Sequence, residues 1–94
     1  MIKSFKDKET EKIFNVIFSR KLPPQIQQRA LIKLRWIHRA KDLFDLQTVP
    51  ANHLEQLRGK RNGQWSIRIN KQWRICFNWI ENNAHNVEIT DYHS

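Results

Sequence analysis

Between Ser66 and Trp79 the chain alternates, with Ile67, Ile69, Trp73, Ile75, Phe77 and Trp79 at odd positions and mostly polar groups at even ones. A period of two is the side-chain period of a strand, so this segment buries one face only as a β-hairpin. For odd residues of both arms to share a face, paired residues must sum to an even number. The shortest loop that satisfies this is Asn70, Lys71 and Gln72, with Asn70 or Gln72 adopting positive φ. Ile69 then faces Trp73, Ile67 faces Ile75, Trp65 faces Phe77, Ser66 faces Cys76 and Arg68 faces Arg74. Like charges directly opposite one another destabilise a strand pair. Either an acid such as Asp91 bridges the two arginines, or they fan out into solvent, or they await an anion.

The remaining segments read as a single domain over residues 1–94, since no repeat, low-complexity tract or linker-like run divides the chain. "MIKSF" is a short candidate strand. Asp7 is placed to cap a helix reaching about Ser19, with Ile13, Phe14, Ile17 and Phe18 at helical spacing. Pro23 and Pro24 suit the first turn of a second helix whose stripe Ile26, Ala30, Leu34 and Ile37 carries it to about Lys41. Arg29, Lys33, Arg35 and Arg39 lie off that stripe. A helical turn at "KDLFDL" leads into an irregular stretch punctuated by Pro50, Gly59 and Gly63, followed by strands at about 64–70, 73–80 and 85–90.

Charge narrows the partners. Seventeen Lys and Arg against nine Asp and Glu give a net charge of +8. The excess is concentrated, with eight basic and no acidic residues between Glu11 and Asp42, and six basic and no acidic between Glu55 and Glu81. Such acid-free runs suit a polyphosphate partner, because each cation placed near a phosphate releases condensed counterions. The N-terminal segment lacks a continuous apolar core and no run of about 18 apolar residues occurs, so the sequence predicts neither export nor a membrane partner. With Cys76 as the lone cysteine, the expected location is the cytoplasm. Two glycines, no phosphate loop and no metal-spaced Cys or His pairs leave metal and nucleotide cofactors without a motif.

The stretch "LRGKRNGQWSIRINKQWRICFNW", followed by "VEITDYH", resembles the HigB branch of the RelE-like bacterial toxins, the toxic halves of toxin–antitoxin modules. The likeness extends over nearly the whole chain. It implies an α+β fold, with two N-terminal helices packed on one face of a small antiparallel or mixed β-sheet and the other face active. It further implies cleavage of messenger RNA in the ribosomal A site without a cofactor, and a partner that is a HigA-like helix-turn-helix antitoxin.

Metal-independent RNA cleavage needs a base for the 2′-hydroxyl, cations for the charge growing on the phosphorane and an acid for the leaving 5′-oxygen. By resemblance Arg74 holds the scissile phosphate, a task suited to the bidentate geometry of a guanidinium. Arg58 supplies a second phosphate contact, while Lys60, Arg61 and Arg68, with Lys33, Arg35 and Arg39 on the second helix, hold messenger and ribosomal RNA. His93 is the expected proton carrier, since histidine ordinarily titrates near neutrality. Asp91 orients or polarises it, and Tyr92 stacks on a base or donates a hydrogen bond. Glu55 stands where some relatives have a loop histidine, so the base is Glu55, or its shifted neighbour His53, or a function this chain has given up. Two other functions remain open: a gyrase-directed toxin of the ParE type, and a non-catalytic RNA-binding sheet that would need Trp65, Trp73 or Trp79 exposed.

Overall fold

The computed structural model describes residues 1–91. In chain order it contains α1 (Lys8–Phe14), α2 (Pro24–Arg39), α3 (Leu43–Gln47), β1 (Glu55–Gln56), β2 (Gln64–Arg68), β3 (Trp73–Ile80) and β4 (Asn83–Asp91). Two single 3₁₀ turns, Pro50–Asn52 and Gly59–Arg61, flank β1. The sheet runs β1-β2-β3-β4, every pair antiparallel. "MIKSF" adds two parallel bridges to β4, Ile2 with Ala84 and Phe5 with Val87.

The hairpin register is the one that the alternation dictates: Trp65 pairs with Phe77, Ser66 with Cys76, Ile67 with Ile75 and Arg68 with Arg74. Its turn closes differently. Neither Asn70 nor Gln72 takes positive φ. Instead the Asn70 side chain accepts hydrogen bonds from the backbone N–H of Gln72 and of Trp73, both 2.8 Å, which mimics a backbone turn without strain. Glu81 and Asn82, at φ 50° and 61°, form the tight turn between β3 and β4. An extra residue on β4, Asn86 at φ 54°, shifts the register between Cys76 and Asn78.

Ile67, Ile75 and Phe77 present the odd face of the hairpin to Ile26, Ala30, Leu34 and Ile37 of α2 and Ile13 of α1. Trp65, Trp73 and Trp79 are half-buried against this core. A base-stacking sheet face would need them exposed. The even face is less open than the alternation suggests, since Ser66, Arg74 and Cys76 are all buried. Long side chains cover it: Arg61 reaches across to Glu88, the residue opposite Cys76, at 3.1 Å.

α1 stops at Phe14, five residues before Ser19. Val16 N–H bonds the Ile13 carbonyl at 3.0 Å and Ile17 N–H the Lys12 carbonyl at 2.8 Å, the paired bonds of a Schellman cap. The cap places Val16 at φ 62°, where a β-branched side chain is strained. Apolar spacing carries no sign of this, because Ile17 and Phe18 continue the helical pattern past the true end.

Candidate active site

A groove of about 670 Å³ opens where α2 meets the hairpin turn. One wall is Arg29, Ile32, Lys33 and Trp36, a single face of α2; the other is Arg68, Ile69, Asn70 and Lys71, with Ala51 and His53 at one end. Four cations and one histidine line it and no carboxylate does. The hairpin places Arg68 here, its Nε donating to the Asn70 carbonyl at 3.1 Å. Arg29 donates to the Ile69 carbonyl at 3.3 Å and so ties helix to turn.

Arg74 does not line this groove but bonds the loop at its end. Its Nε donates to Ser66 Oγ at 2.8 Å, and Nη2 donates to the carbonyls of His53 at 2.5 Å and Ser66 at 3.3 Å. Glu55 Oε1 stands 4.0 Å from Nε, and pairing of Glu55 with Ser66 puts it on the same sheet face. The two opposed arginines therefore fan apart, one to the turn and the other to the loop before β1. That partition resolves the repulsion which the register imposes.

Lys33 departs from its expected place. Its residue type predicts a docking face shared with Arg35 and Arg39, yet it is buried, whereas Arg35 and Arg39 are exposed. Successive helical residues turn by about 100°, so Lys33 and Arg35 lie about 160° apart around α2. Lys33 Nζ donates to Asn52 Oδ1 at 2.7 Å and sits 5.2 Å from the Trp36 ring centroid. Asn52, fully buried, donates in turn to the Leu46 carbonyl at 3.0 Å. Desolvation, reinforced by the Arg29 and Arg74 guanidinium groups, pushes the Lys33 pKa below its ordinary value. The same network fixes the loop in which His53 takes φ 44° at the mouth of the groove.

Other expected site residues scatter. Arg58 is exposed at the start of the second 3₁₀ turn. Lys60 and Arg61 line a separate hollow of about 390 Å³ with Lys6, Gln64 and Asn78, and Arg61 bonds both Gln64 and Glu88. Arg39 borders a third hollow, of about 310 Å³, beside Asp45 and Val49. Asp91 pairs with Trp73 at the end of β4 and accepts from Gln72 Nε2 at 2.8 Å. Tyr92 and His93 lie outside the described residues. Among the described residues no three His, Cys, Asp or Glu side chains converge as metal ligands, and no helix is long and apolar enough to cross a membrane.

Sequence reasoning left Arg29 and Lys71 out of the site. Arg29 carries a usable signal: it stands one helical turn before Lys33 and two before Trp36, so the three share one side of α2.

A family profile described as "RelE-like toxin of type II toxin-antitoxin system HigB" matches residues 3–93. The chain is a HigB-like toxin of the RelE-like family. It is 34% identical over 93 residues to the Endoribonuclease HigB of Proteus vulgaris, covering 99% of this chain and 100% of that one. It is 37% identical over 87 residues to Toxin HigB-1 of Vibrio cholerae, covering 92% of each. The fold of this HigB-like toxin resembles a chain of the YoeB–YefM complex from Staphylococcus aureus, with a TM-score of 0.62, 16% identity and coverage of 100% and 99%. As the toxin of a type II system, it has an antitoxin for a partner.

Proposed function

We propose that this toxin is an endoribonuclease that cuts messenger RNA in the ribosomal A site by attack of the 2′-hydroxyl on the adjacent phosphate, and that its antitoxin is a HigA-like helix-turn-helix protein. The single observation that supports it best is the groove: Arg29, Lys33, Arg68 and Lys71 around a partly apolar floor, with His53 at one end and no carboxylate in its lining. Such a lining suits a polyanion with flat bases and suits few metabolites.

In this reading Arg68 contacts the scissile phosphate from the groove wall. Arg74 stabilises the phosphorane while its bond to the His53 carbonyl keeps that loop in place. Either His53, at the groove, or Glu55, beside Arg74, takes the 2′-hydroxyl proton, and His93 returns one to the 5′-oxygen. Asp91, held by Gln72, orients the terminal imidazole, and Tyr92 stacks on or hydrogen-bonds a base. Arg58 adds a phosphate contact. Arg35, Arg39, Lys60 and Arg61 hold ribosomal RNA outside the groove, and the protein works in the cytoplasm without cofactor.

The test is a reconstituted translation mixture in which message ends are mapped with ribosomes present and omitted. Cleavage inside the reading frame that requires ribosomes is the expected result. Equal cleavage of naked RNA would remove the ribosome from the mechanism, and supercoiling defects without RNA ends would favour a gyrase target.

A further inference from the structure

Lys33 is the one buried lysine among the described residues, at 6% exposure in the middle of α2. Among those residues no carboxylate stands within 4.0 Å of its ammonium. Desolvation works against its charge, and so do the guanidinium groups of Arg29 and Arg74. An apolar pair in the places of Lys33 and its partner Asn52 would fill the same space without either burden. A cation kept buried among cations therefore needs a task, since local rules are broken where function requires it.

That task lies in the loop before β1. Nζ donates to Asn52 Oδ1 at 2.7 Å, and Asn52 Nδ2 donates to the Leu46 carbonyl at 3.0 Å, so both polar ends of a fully buried amide are engaged. The backbone N–H groups of Asn52 and His53 bond the Val49 and Pro50 carbonyls at 2.9 and 3.1 Å. Asn52 is thereby fixed from α2 on one side and from the end of α3 on the other. His53 follows it at φ 44° and ψ 53°, a left-handed conformation that a residue other than glycine keeps only where its surroundings over-determine it. This turn puts His53 at the end of the groove and its carbonyl against Arg74 Nη2. Arg74 Nε in turn bonds Ser66 Oγ at 2.8 Å and stands 4.0 Å from Glu55 Oε1. One chain of contacts thus leads from Lys33 through Asn52 and His53 to Arg74 and Glu55.

We propose that Lys33 is a positioning residue for RNA cleavage: by holding Asn52 it sets the place of His53 and, through the His53 carbonyl, the place of Arg74 relative to Glu55, while making no phosphate contact of its own. This rests on the endoribonuclease reading and changes what one groove cation does in it. Arg29 and Lys71 are exposed and Arg68 is half-buried, so these three meet the message. Lys33 governs the step that follows.

The test measures single-turnover cleavage of ribosome-bound message by the full chain at saturating ribosomes, corrected for folded fraction, together with ribosome affinity as a function of salt. Lys33→Met should lose about 10- to 100-fold in rate, the scale of displacing a reacting group by about 1 Å. Its ribosome affinity and salt slope should match the parent, whereas loss of a phosphate contact would lower the slope by about one unit. Asn52→Leu should lose rate to a similar extent. The double variant Lys33→Met/Asn52→Leu should lose no more than the worse single one, because both cut the same tie. Lys33→Arg keeps the charge, but a guanidinium cannot take the ammonium's place between Asn52 and Trp36 without moving the loop, so it should lose at least about 10-fold as well. It decides the matter if Lys33→Met does not fold. A parental rate in Lys33→Met or Lys33→Arg, a lowered salt slope in Lys33→Met, or losses that multiply in the double variant would each overturn the proposal and leave the endoribonuclease reading standing. A parent chain that leaves ribosome-bound message intact would overturn that reading and this role with it.

Discussion

Truncation of Arg74 to alanine separates two roles that the structure gives one side chain. Three acceptors lose a charged donor: Ser66 Oγ, the Ser66 carbonyl and the His53 carbonyl. Hydrogen bonds to charged groups contribute about 1.5–3 kcal/mol each, more when the acceptor left behind is buried. Ser66 is fully buried and cannot recruit water readily, whereas His53 is exposed and its carbonyl recovers much of its loss. Counting the 2.8 Å contact to Ser66 Oγ in full, the His53 contact in part and the long 3.3 Å contact to the Ser66 carbonyl as negligible gives about 2–4 kcal/mol. A hydrophilic-face reading of the alternation predicts no loss, or a small gain from relieving the pairing with Arg68; burial at 7% exposure reverses that sign. For a domain of this size each kcal/mol moves Tm by about 4–8 °C, so Arg74→Ala should melt about 10–25 °C below the parent. Thermal unfolding followed at 222 nm measures it. Cleavage assayed at 15 °C and corrected for folded fraction should still fall by about 100-fold, the scale of losing one group that stabilises transition-state charge. Arg74→Ala melting within about 3 °C of the parent would refute the structural role, and full corrected activity would refute the catalytic one.

Lys33→Met leaves the buried Asn52 Oδ1 without its donor and should destabilise the protein, least at neutral pH and increasingly towards pH 10.5. Because the native Lys33 amine titrates below its ordinary value, the unfolded chain holds a proton that the native one has released as pH rises towards 10.5, so parental stability gains there and the deficit of methionine widens; urea unfolding at pH 7 and pH 10 giving a constant difference would contradict this. His93→Gln should lose about 10²- to 10⁴-fold in single-turnover cleavage and one limb of the pH profile, whereas deleting Ser94 should do neither. Burial pushes the Cys76 thiol above its ordinary value, so native protein should resist thiol reagents near neutral pH and react only at the rate of unfolding.

The hairpin register was legible because a strict period of two admits one register once the loop is chosen, although the first arm ends at Arg68, two residues before the expected 70. Its turn was not, since asparagine can serve through positive φ or through its side chain and the sequence is silent on which. β1 escaped notice for want of length: two residues show no period. Lys33 reads as surface by residue type, and only Asn52, nineteen positions away, makes its burial tolerable. The groove was half visible. Arg68 follows from the register, but its companions Arg29 and Lys71 meet it only through the packing of α2 on the sheet, which no local pattern encodes.

The pairing of the first residues with β4 has a consequence for how the toxin is made. Ile2 and Phe5 bridge Ala84 and Val87, Ser4 Oγ accepts from Asn86 N–H, and Ile89 N–H donates to Thr10 Oγ1, across 79 to 82 positions of chain. Those partners leave the ribosome long after residues 1–10 do, so the opening segment and the foot of α1 wait without their partners for most of translation. Closure of such distant contacts is slow. A chain that ends before residue 84 lacks the strand that seals the fold. The fold therefore closes only after β4 has been made, whatever order its other elements form in.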